Sequence, residues 1–322
     1  MPFFMLTIQN LHAIFLQYPV ISTDTRNIIP NSIFFALKGE SFDGNNFVEE
    51  ALEKGAAFVV SERSFAQNKQ VFTVPDVLDC LQQLANFHRN TFKIPVLTIT
   101  GSNGKTTTKE LTKAVLSQKF EVLATEGNLN NHIGVPLTLL KLNSTHEFAI
   151  IETGANHPGE IDFLCKIANP DYGLITNIGK AHLEGFGSYE GVVQTKTEMY
   201  RFLKAKNGLV FVNANNNLLF EKSENLNRIL YGKPEFDISA EIIESNPFAV
   251  IKLQYKKSNQ SIIIKTNLAG SYNVDNILTA ASVGAHFGIT AEEIKTAIEA
   301  YEPTNKRSQI ANTERNMLWI DA

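Results

Sequence analysis

Residues 96–108 read V-L-T-I-T-G-S-N-G-K-T-T-T. The first half is a continuous β-branched and apolar run, the pattern of a strand buried on both faces of a parallel sheet. Gly101 and Gly104 follow, then Lys105 and three threonines. Residues 109–118 carry Leu111, Ala114 and Val115 at helical spacing, with no glycine or proline. A strand, a glycine loop, Lys-Thr and a helix together make a phosphate cradle. Backbone N–H groups and a helix N-terminus face the anion, the lysine reaches the outer phosphates, and a hydroxyl can hold Mg²⁺. The general pattern G-x-x-x-x-G-K-[ST] is met only in its second half, because its first glycine falls at Ile99. An ordinary strand-to-helix turn with an exposed lysine is the competing reading at this point.

Outward from that stretch, strand-like runs recur at 121–125, 148–152, 172–175 and 208–212, separated by helical or loop segments. Such alternation predicts a parallel, doubly wound sheet, whose ligands lie at the carboxyl ends of the strands. One run ends in Glu152, and His182 follows another by a few residues. Beside Thr106 these two could share a divalent cation, although Mg²⁺ favours oxygen ligands. Local spacing supports equally a Glu152 that caps a helix and a His182 that fills a loop. Lys196, in V-V-Q-T-K-T-E-M-Y, falls on a predicted helix, where a lysine is ordinarily surface decoration. The run T-E-G-N-L-N-N-H-I-G-V-P-L at 125–137 is rich in amides, which suit sugar hydroxyls or peptide groups but also a solvated loop. Further on, 248–255 and 261–268 alternate as an antiparallel hairpin around the turn K-K-S-N-Q. G-S-Y-N-V-D-N then opens a helix through residue 285, and Thr290 with Glu293 forms a capping box.

Before the phosphate stretch, residues 1–92 form a first α/β unit of short elements. Helices are expected at 6–17, 47–54 and 77–89, and strands at 32–37, 57–61 and 70–74. Asp24 and Arg26 read locally as a surface ion pair, and Asp43-Gly44 as a turn. No HExxH or CxxC spacing supports a zinc site, so His12, His88, His146 and His286 are assigned no chemistry.

The 322 residues suffice for two domains with substantial cores. A 43% hydrophobic and 19% charged composition excludes wholesale disorder. The formal net charge of −4 gives no reason to expect nucleic-acid or anionic-membrane binding through bulk charge. Cys80 and Cys165 fit reduced, buried thiols. No run reaches transmembrane length, and the amino terminus lacks the basic region of a signal peptide. These features predict a cytoplasmic protein. The closing M-L-W-I-D-A stops on a strand-like run, which reads as a fragment.

Taken as a series, the motifs resemble the Mur ligase family. T-G-S-N-G-K-T-T is similar to the family's T-G-T-N-G-K-T-T, which accounts for the mismatch at Ile99. The series continues in order with Glu152, His182, Lys196, Y-N-V-D-N, Arg307 and Asp321. S-T-D-T-R, F-F-A-L-K-G-E-S-F-D-G, E-G-N-L-N-N-H-I-G-V-P-L-T-L-L and G-A-N-H-P-G-E-I resemble the branch that adds D-alanyl-D-alanine to UDP-N-acetylmuramoyl-tripeptide. Ser102, where threonine is common, and Asn45-Asn46, where the family's loop has a histidine, are departures.

The resemblance implies an amino-terminal UDP-substrate domain over 1–92 and a central ATPase domain over 93–309. Residues 310–322 would be a hinge and the start of a third domain. It implies an ATP-dependent peptide ligase working through an acyl phosphate, monomeric and cytoplasmic, with two Mg²⁺ sites. Gly101, Ser102, Asn103, Gly104, Lys105, Thr106 and Thr107 would hold phosphates, Asn273 and Asn276 would sit by the adenine, Arg307 by the phosphates and Asp321 by the ribose. Thr106, Glu152, His182 and a carbamoylated Lys196 would serve the metal ions. Asp24, Thr25, Arg26, Asp43 and Gly44 would contact the UDP substrate, with Asn128, Asn130 and Asn131 nearer its peptide. Another Mur-type amino-acid ligase, or a nucleotide-binding module without catalysis, are the alternatives.

Overall fold

The computed structural model describes residues 7–65, 68–180, 183–303, 309–312 and 317–320. The chain divides into two compact units. One comprises residues 1–93 with 132–143 and 167–169, and the other holds the remainder.

The first unit runs α1 (Ile8–Gln17), β1 (Ile21–Ser22), β2 (Ile33–Phe35), α2 (Val48–Glu53), β3 (Phe58–Ser61), β4 (Val71–Thr73) and α3 (Val77–Asn90). Its four strands form a parallel sheet in chain order. Phe34, Ala36, Val48, Ala51 and Val59 make its core. Helix α2 stops at Gly55, whose φ of 97° is the left-handed conformation of a helix terminator. Helix α3 buries Val77, Leu81, Leu84 and Ala85. Its polar side chains explain why two later segments join this unit. Gln82 donates to the His132 carbonyl (2.9 Å), His88 Nε2 lies 2.9 Å from the Leu142 carbonyl, and Arg89 donates to Ala168 and Asn169. The segment 132–143 contains a short helix, Gly134–Leu139, within a stretch whose amides and glycines suggest a loop. Pro136 falls in its first turn, where a missing N–H leaves no intrahelical bond unmade.

The second unit is built on β5 (Val96–Thr100), β6 (Val122–Ala124), β7 (Phe148–Glu152), β8 (Tyr172–Ile175), β9 (Leu209–Asn213) and β10 (Asn227–Tyr231). All six are parallel, in the order β10-β9-β8-β5-β7-β6. Every residue of the central strand β5 is buried, as its unbroken apolar run requires. Its helices are α4 (Lys105–Leu116), α6 (Glu160–Ala168), α7 (Leu183–Phe186), α8 (Tyr189–Lys196), α9 (Glu198–Ala205) and α10 (Asn217–Lys222), α5 being the short helix above. An antiparallel sheet follows, β11 (Ile238–Glu244), β12 (Phe248–Tyr255) and β13 (Gln260–Ala269), then α11 (Asn273–His286) and α12 (Ala291–Ala300). Residues Gln309–Asn312 (β14) and Met317–Ile320 (β15) pair antiparallel.

Two apolar clusters make the sheet doubly wound. Leu97, Ile99, Leu111, Val115, Ile251, Ile264, Ile277 and Ile294 pack together from β5, α4, the antiparallel sheet, α11 and α12. Ile161, Cys165, Ile175, Val192, Met199, Leu203 and Leu219 form the other cluster. The expected hairpin is present. Strands β10 and β11, which the sequence pattern does not announce, both precede it in the chain. The β10 sequence N-R-I-L-Y holds an apolar run of only three residues, and four of its five residues are only partly buried or exposed. A register shift between Ile242 and Glu244 breaks the period-two alternation of β11. The capping box at Thr290 and Glu293 is formed as its sequence predicts. Both cysteines are free and buried. Among the described residues no helix is long and apolar enough to cross a membrane.

Candidate active site

The register of the parallel sheet brings the polar ends of three strands together. Ile99 pairs with Glu152 on one side of β5, and Thr100 with Ile175 on the other. Between β5 and α4 the chain turns through Gly101, Ser102, Asn103 and Gly104. Gly101 has φ 148°, and a Cβ there would lie 2.0 Å from Thr176 Oγ1. Gly104 has φ 77°, and its Cβ would lie 2.7 Å from Asn276 Oδ1. Both positions therefore need glycine for conformation and for space.

The segment after β8 holds this loop in shape, a role that the bare motif does not reveal. Ser102 N donates to the Asn177 carbonyl (2.9 Å) and Asn103 N to Asn177 Oδ1 (3.1 Å). Thr176 Oγ1 donates to the Asn103 carbonyl (2.6 Å), and Gly179 N to Ser102 Oγ (2.9 Å). Lys105 opens α4, and its ammonium lies over the loop, donating to the Gly101 (2.9 Å) and Ser102 (3.1 Å) carbonyls. Thr106 and Thr107 are buried behind it.

Glu152, 1% exposed, is gripped from two directions. Thr106 Oγ1 donates to its Oε2 (3.0 Å) and Asn130 Nδ2 to its Oε1 (2.8 Å), while its own N–H donates to Thr125 Oγ1 (2.9 Å). It is a strand-end carboxylate aimed at the loop, and α6 is capped by another residue. That residue is Glu198, whose carboxylate accepts from Gly159 N (2.7 Å) and Asp162 N (3.0 Å). Glu160 closes the same turn by accepting from Asn156 N and His157 N. Glu198 lies two residues past Lys196, but nothing in the sequence shows that it reaches α6.

Lys196 ends α8 and is 3% exposed, so the surface reading of this lysine is wrong. Burial pushes its ammonium down to about 8, and the Lys105 charge pushes the same way, against Glu160 and Glu198. Its Nζ lies 5.7 Å from the centroid of the Phe186 ring.

Asn273 and Asn276 are buried at the start of α11. Asn276 Oδ1 accepts from Thr108 Oγ1 (3.0 Å), its Nδ2 donates to Asn273 Oδ1 (2.9 Å), and Asn273 Nδ2 donates to the Ala269 carbonyl (2.7 Å). They tie α11 to α4 directly behind the glycine loop. Asn128 and Asn131 are exposed on either side of the half-buried Asn130.

In the first unit Asp24 and Arg26 form the surface pair that local reading predicts, 2.6 Å apart, with Thr25 between them. The Arg26 hydrogen bond holds the Asp24 carboxyl down to about 2. Asp43 caps a single turn at Gly44 and pairs with Arg63 (2.6 Å). A Cβ on Gly44 would meet the Leu37 carbonyl at 2.5 Å. Asn45 is buried and accepts from Ser61 Oγ and Glu62 N. His182, Arg307 and Asp321 lie outside the described residues. Among the described residues no three His, Cys, Asp or Glu side chains converge as a metal site. The donors that do converge, the Thr106 hydroxyl and the Glu152 carboxylate, are hard oxygens, and that donor set fits Mg²⁺.

A parallel sheet, a glycine loop running into α4 and a carboxylate at the neighbouring strand end define a P-loop nucleotide-binding protein. The chain belongs to the Mur ligase family: the family's middle-domain profile matches residues 99–284, and a second profile, the Mur ligase family catalytic domain, matches 17–89. It is 39% identical over 316 residues to the UDP-N-acetylmuramoyl-tripeptide–D-alanyl-D-alanine ligase of Haemophilus influenzae, covering 95% of this chain and 68% of that protein. The Bacillus subtilis ligase of the same name is 35% identical, with coverage of 94% and 66%. MurF from Acinetobacter baumannii superposes with TM-score 0.86 at 33% identity, over 94% of this chain and 67% of that one. MurF from Thermotoga maritima, solved in complex with ADP, gives 0.83 at 28% identity, over 95% and 71%. The chain thus spans about two thirds of the length of the curated relatives it matches.

Proposed function

We propose that this chain binds ATP and UDP-N-acetylmuramoyl-tripeptide and carries the ATP-using half of a cytoplasmic, monomeric ligase. That enzyme joins D-alanyl-D-alanine to the tripeptide in peptidoglycan precursor synthesis. The observation that carries the reading is the grip of Thr106 and Asn130 on Glu152 at the mouth of the glycine loop. The tripeptide's terminal carboxylate attacks the γ-phosphorus of ATP, forming a P–O bond and releasing ADP. The amine of D-alanyl-D-alanine then attacks the acyl carbon and loses a proton, and phosphate leaves with the C–O bonding pair. Two anions must meet in the first step, so positioning and charge neutralisation supply most of the catalysis.

Lys105 and the amides of 101–107 hold the outer phosphates. Thr106 and Glu152 would hold one Mg²⁺ and His182 would serve a second; when bound, the ions neutralise the oxygens on which charge develops. Lys196 is suited to carbamoylation because burial lowers its pKa to about 8 and so raises the share of free amine near neutral pH far above that of an ordinary lysine. The ammonium first loses one proton; the free amine then adds to CO₂, forming an N–C bond and releasing a second proton, so a cation is exchanged for a metal-binding anion. Asn273 and Asn276 frame the adenine side, Arg307 the phosphates and Asp321 the ribose. Residues 1–92, with Asp24, Thr25, Arg26, Asp43 and Gly44, receive the UDP portion. Residues 93–309 form the ATPase domain, with Asn128, Asn130 and Asn131 toward the peptide, and 310–322 a hinge. Neither nucleic acid nor membrane insertion enters the reaction.

Borohydride trapping tests the first step. The chain incubated with MgATP and UDP-muramoyl tripeptide should yield the reduced alcohol of the tripeptide, and titration calorimetry should show ADP binding. ADP binding without any trapped product leaves a nucleotide module without this chemistry. Absence of ADP binding overturns the reading altogether.

A further inference from the structure

Lys109 has no part in the chemistry proposed above, yet its side chain is completely buried one helical turn behind Lys105. A buried ammonium is strongly unfavourable unless paired, and an apolar residue of similar volume would ordinarily serve a core position better. Its nitrogen donates to the Thr125 carbonyl and lies 2.9 Å from Glu110 Oε1. Thr125 is the first residue after β6 and the root of the amide-rich loop. Its N–H donates to the Ile150 carbonyl (3.0 Å), and its hydroxyl accepts from Glu152 N (2.9 Å). The far end of the loop is fixed by Asn130, whose side chain donates to Glu152 and whose carbonyl accepts from Gly154 N (2.8 Å). A Cβ at Gly154 would lie 2.9 Å from Asn130 Oδ1, so the two are closely fitted. Helix α4 therefore reaches Glu152 twice, directly through Thr106 and indirectly through Lys109, Thr125 and the loop.

We propose that Lys109 is a positioning residue that fixes the root of the 125–131 loop, so that Asn130 and Thr106 together aim the Glu152 carboxylate at the cation accompanying the nucleotide. This rests on the nucleotide reading above, and the two are separable by experiment. ADP binding to the chain is measured in EDTA and across a Mg²⁺ titration, for the wild type, K109M, K109Q, N130A and K109M/N130A. K109M should bind ADP in EDTA as the wild type does, while the Mg²⁺ needed for half-maximal enhancement rises about tenfold, the usual effect of removing a metal ligand's outer-shell support. Amide exchange in 126–131 should quicken without change in β5. K109Q, which keeps a shorter neutral donor, should fall between. The double variant should be no worse than N130A, because both act through one loop. A folded K109M or K109Q with an unaltered Mg²⁺ requirement overturns the proposal and leaves the nucleotide reading intact. Failure of both variants to fold assigns Lys109 to folding and likewise overturns it. A wild type that binds no ADP defeats the reading on which it rests.

Discussion

Gly104 and Lys196 show how much of the site rests on single residues. Adding one methyl group at Gly104 forces an L-residue to φ 77° and into Asn276 Oδ1. The left-handed conformation alone costs about 1–2 kcal/mol, so G104A should lower ADP affinity roughly tenfold or more by calorimetry. Lys196 leads to a pH prediction. Unfolded, it titrates near 10.5, and folded at about 8. Between those values the unfolded chain holds the additional proton, so this residue makes stability rise with pH across the window, and its full cost is present below pH 8. In buffer freed of carbon dioxide, K196M should be more stable than the wild type at pH 7 by up to roughly 3 kcal/mol. Denaturant unfolding should show that margin shrinking toward pH 10.5. A margin independent of pH would contradict the buried, charged lysine.

Helices α1 and α3 meet through two histidines to which the sequence assigns no chemistry. His12 Nε2 lies 2.9 Å from His88 Nδ1, and His88 Nε2 lies 2.9 Å from the Leu142 carbonyl. With His88 donating to that carbonyl and His12 donating to His88, each ring is neutral, and protonating His88 at Nδ1 would oppose two N–H groups. Phe15, Phe87 and Phe92 surround the pair. Burial pushes both imidazoles below 6.5. The unfolded chain then takes up protons first as pH falls through 6.5, so stability from this pair is complete above that pH and lost below it. The thermal midpoint of the first unit should fall between pH 7 and pH 5, and less steeply in a His12→Phe, His88→Phe variant. Equal slopes would show that the pair is not what titrates.

At the scale of the molecule, the phosphate site belongs to a unit whose six parallel strands meet helices on both faces. Nucleotide binding is therefore linked to the unfolding of that unit. At a hundred times its Kd, ADP should add about 2.7 kcal/mol. The slowest β5 amides should then exchange about a hundredfold more slowly, which mass spectrometry can follow; unchanged rates would place the nucleotide elsewhere. Much of this unit is legible in the chain. Val96–Thr100, Phe148–Glu152, Tyr172–Ile175 and Phe248–Tyr255 are strands at their expected positions, because continuous apolar runs and strict alternation are local signals. The order of motifs from Gly101 to Lys196 likewise identifies the family before any coordinate is considered. Sequence alone leaves β10 and β11 unmarked, since an edge strand is half-solvated and a bulge breaks the alternation. Nor does it tell that Lys196 and Lys109 are buried, that Glu198 caps α6, or that Thr176 and Asn177 hold the glycine loop. Local pattern determined the elements and the nucleotide loop, because propensity and periodicity act over a few residues. Tertiary structure decided which charges lie in the interior and which amides converge on Glu152, because burial and long-range hydrogen bonds depend on strand order and register.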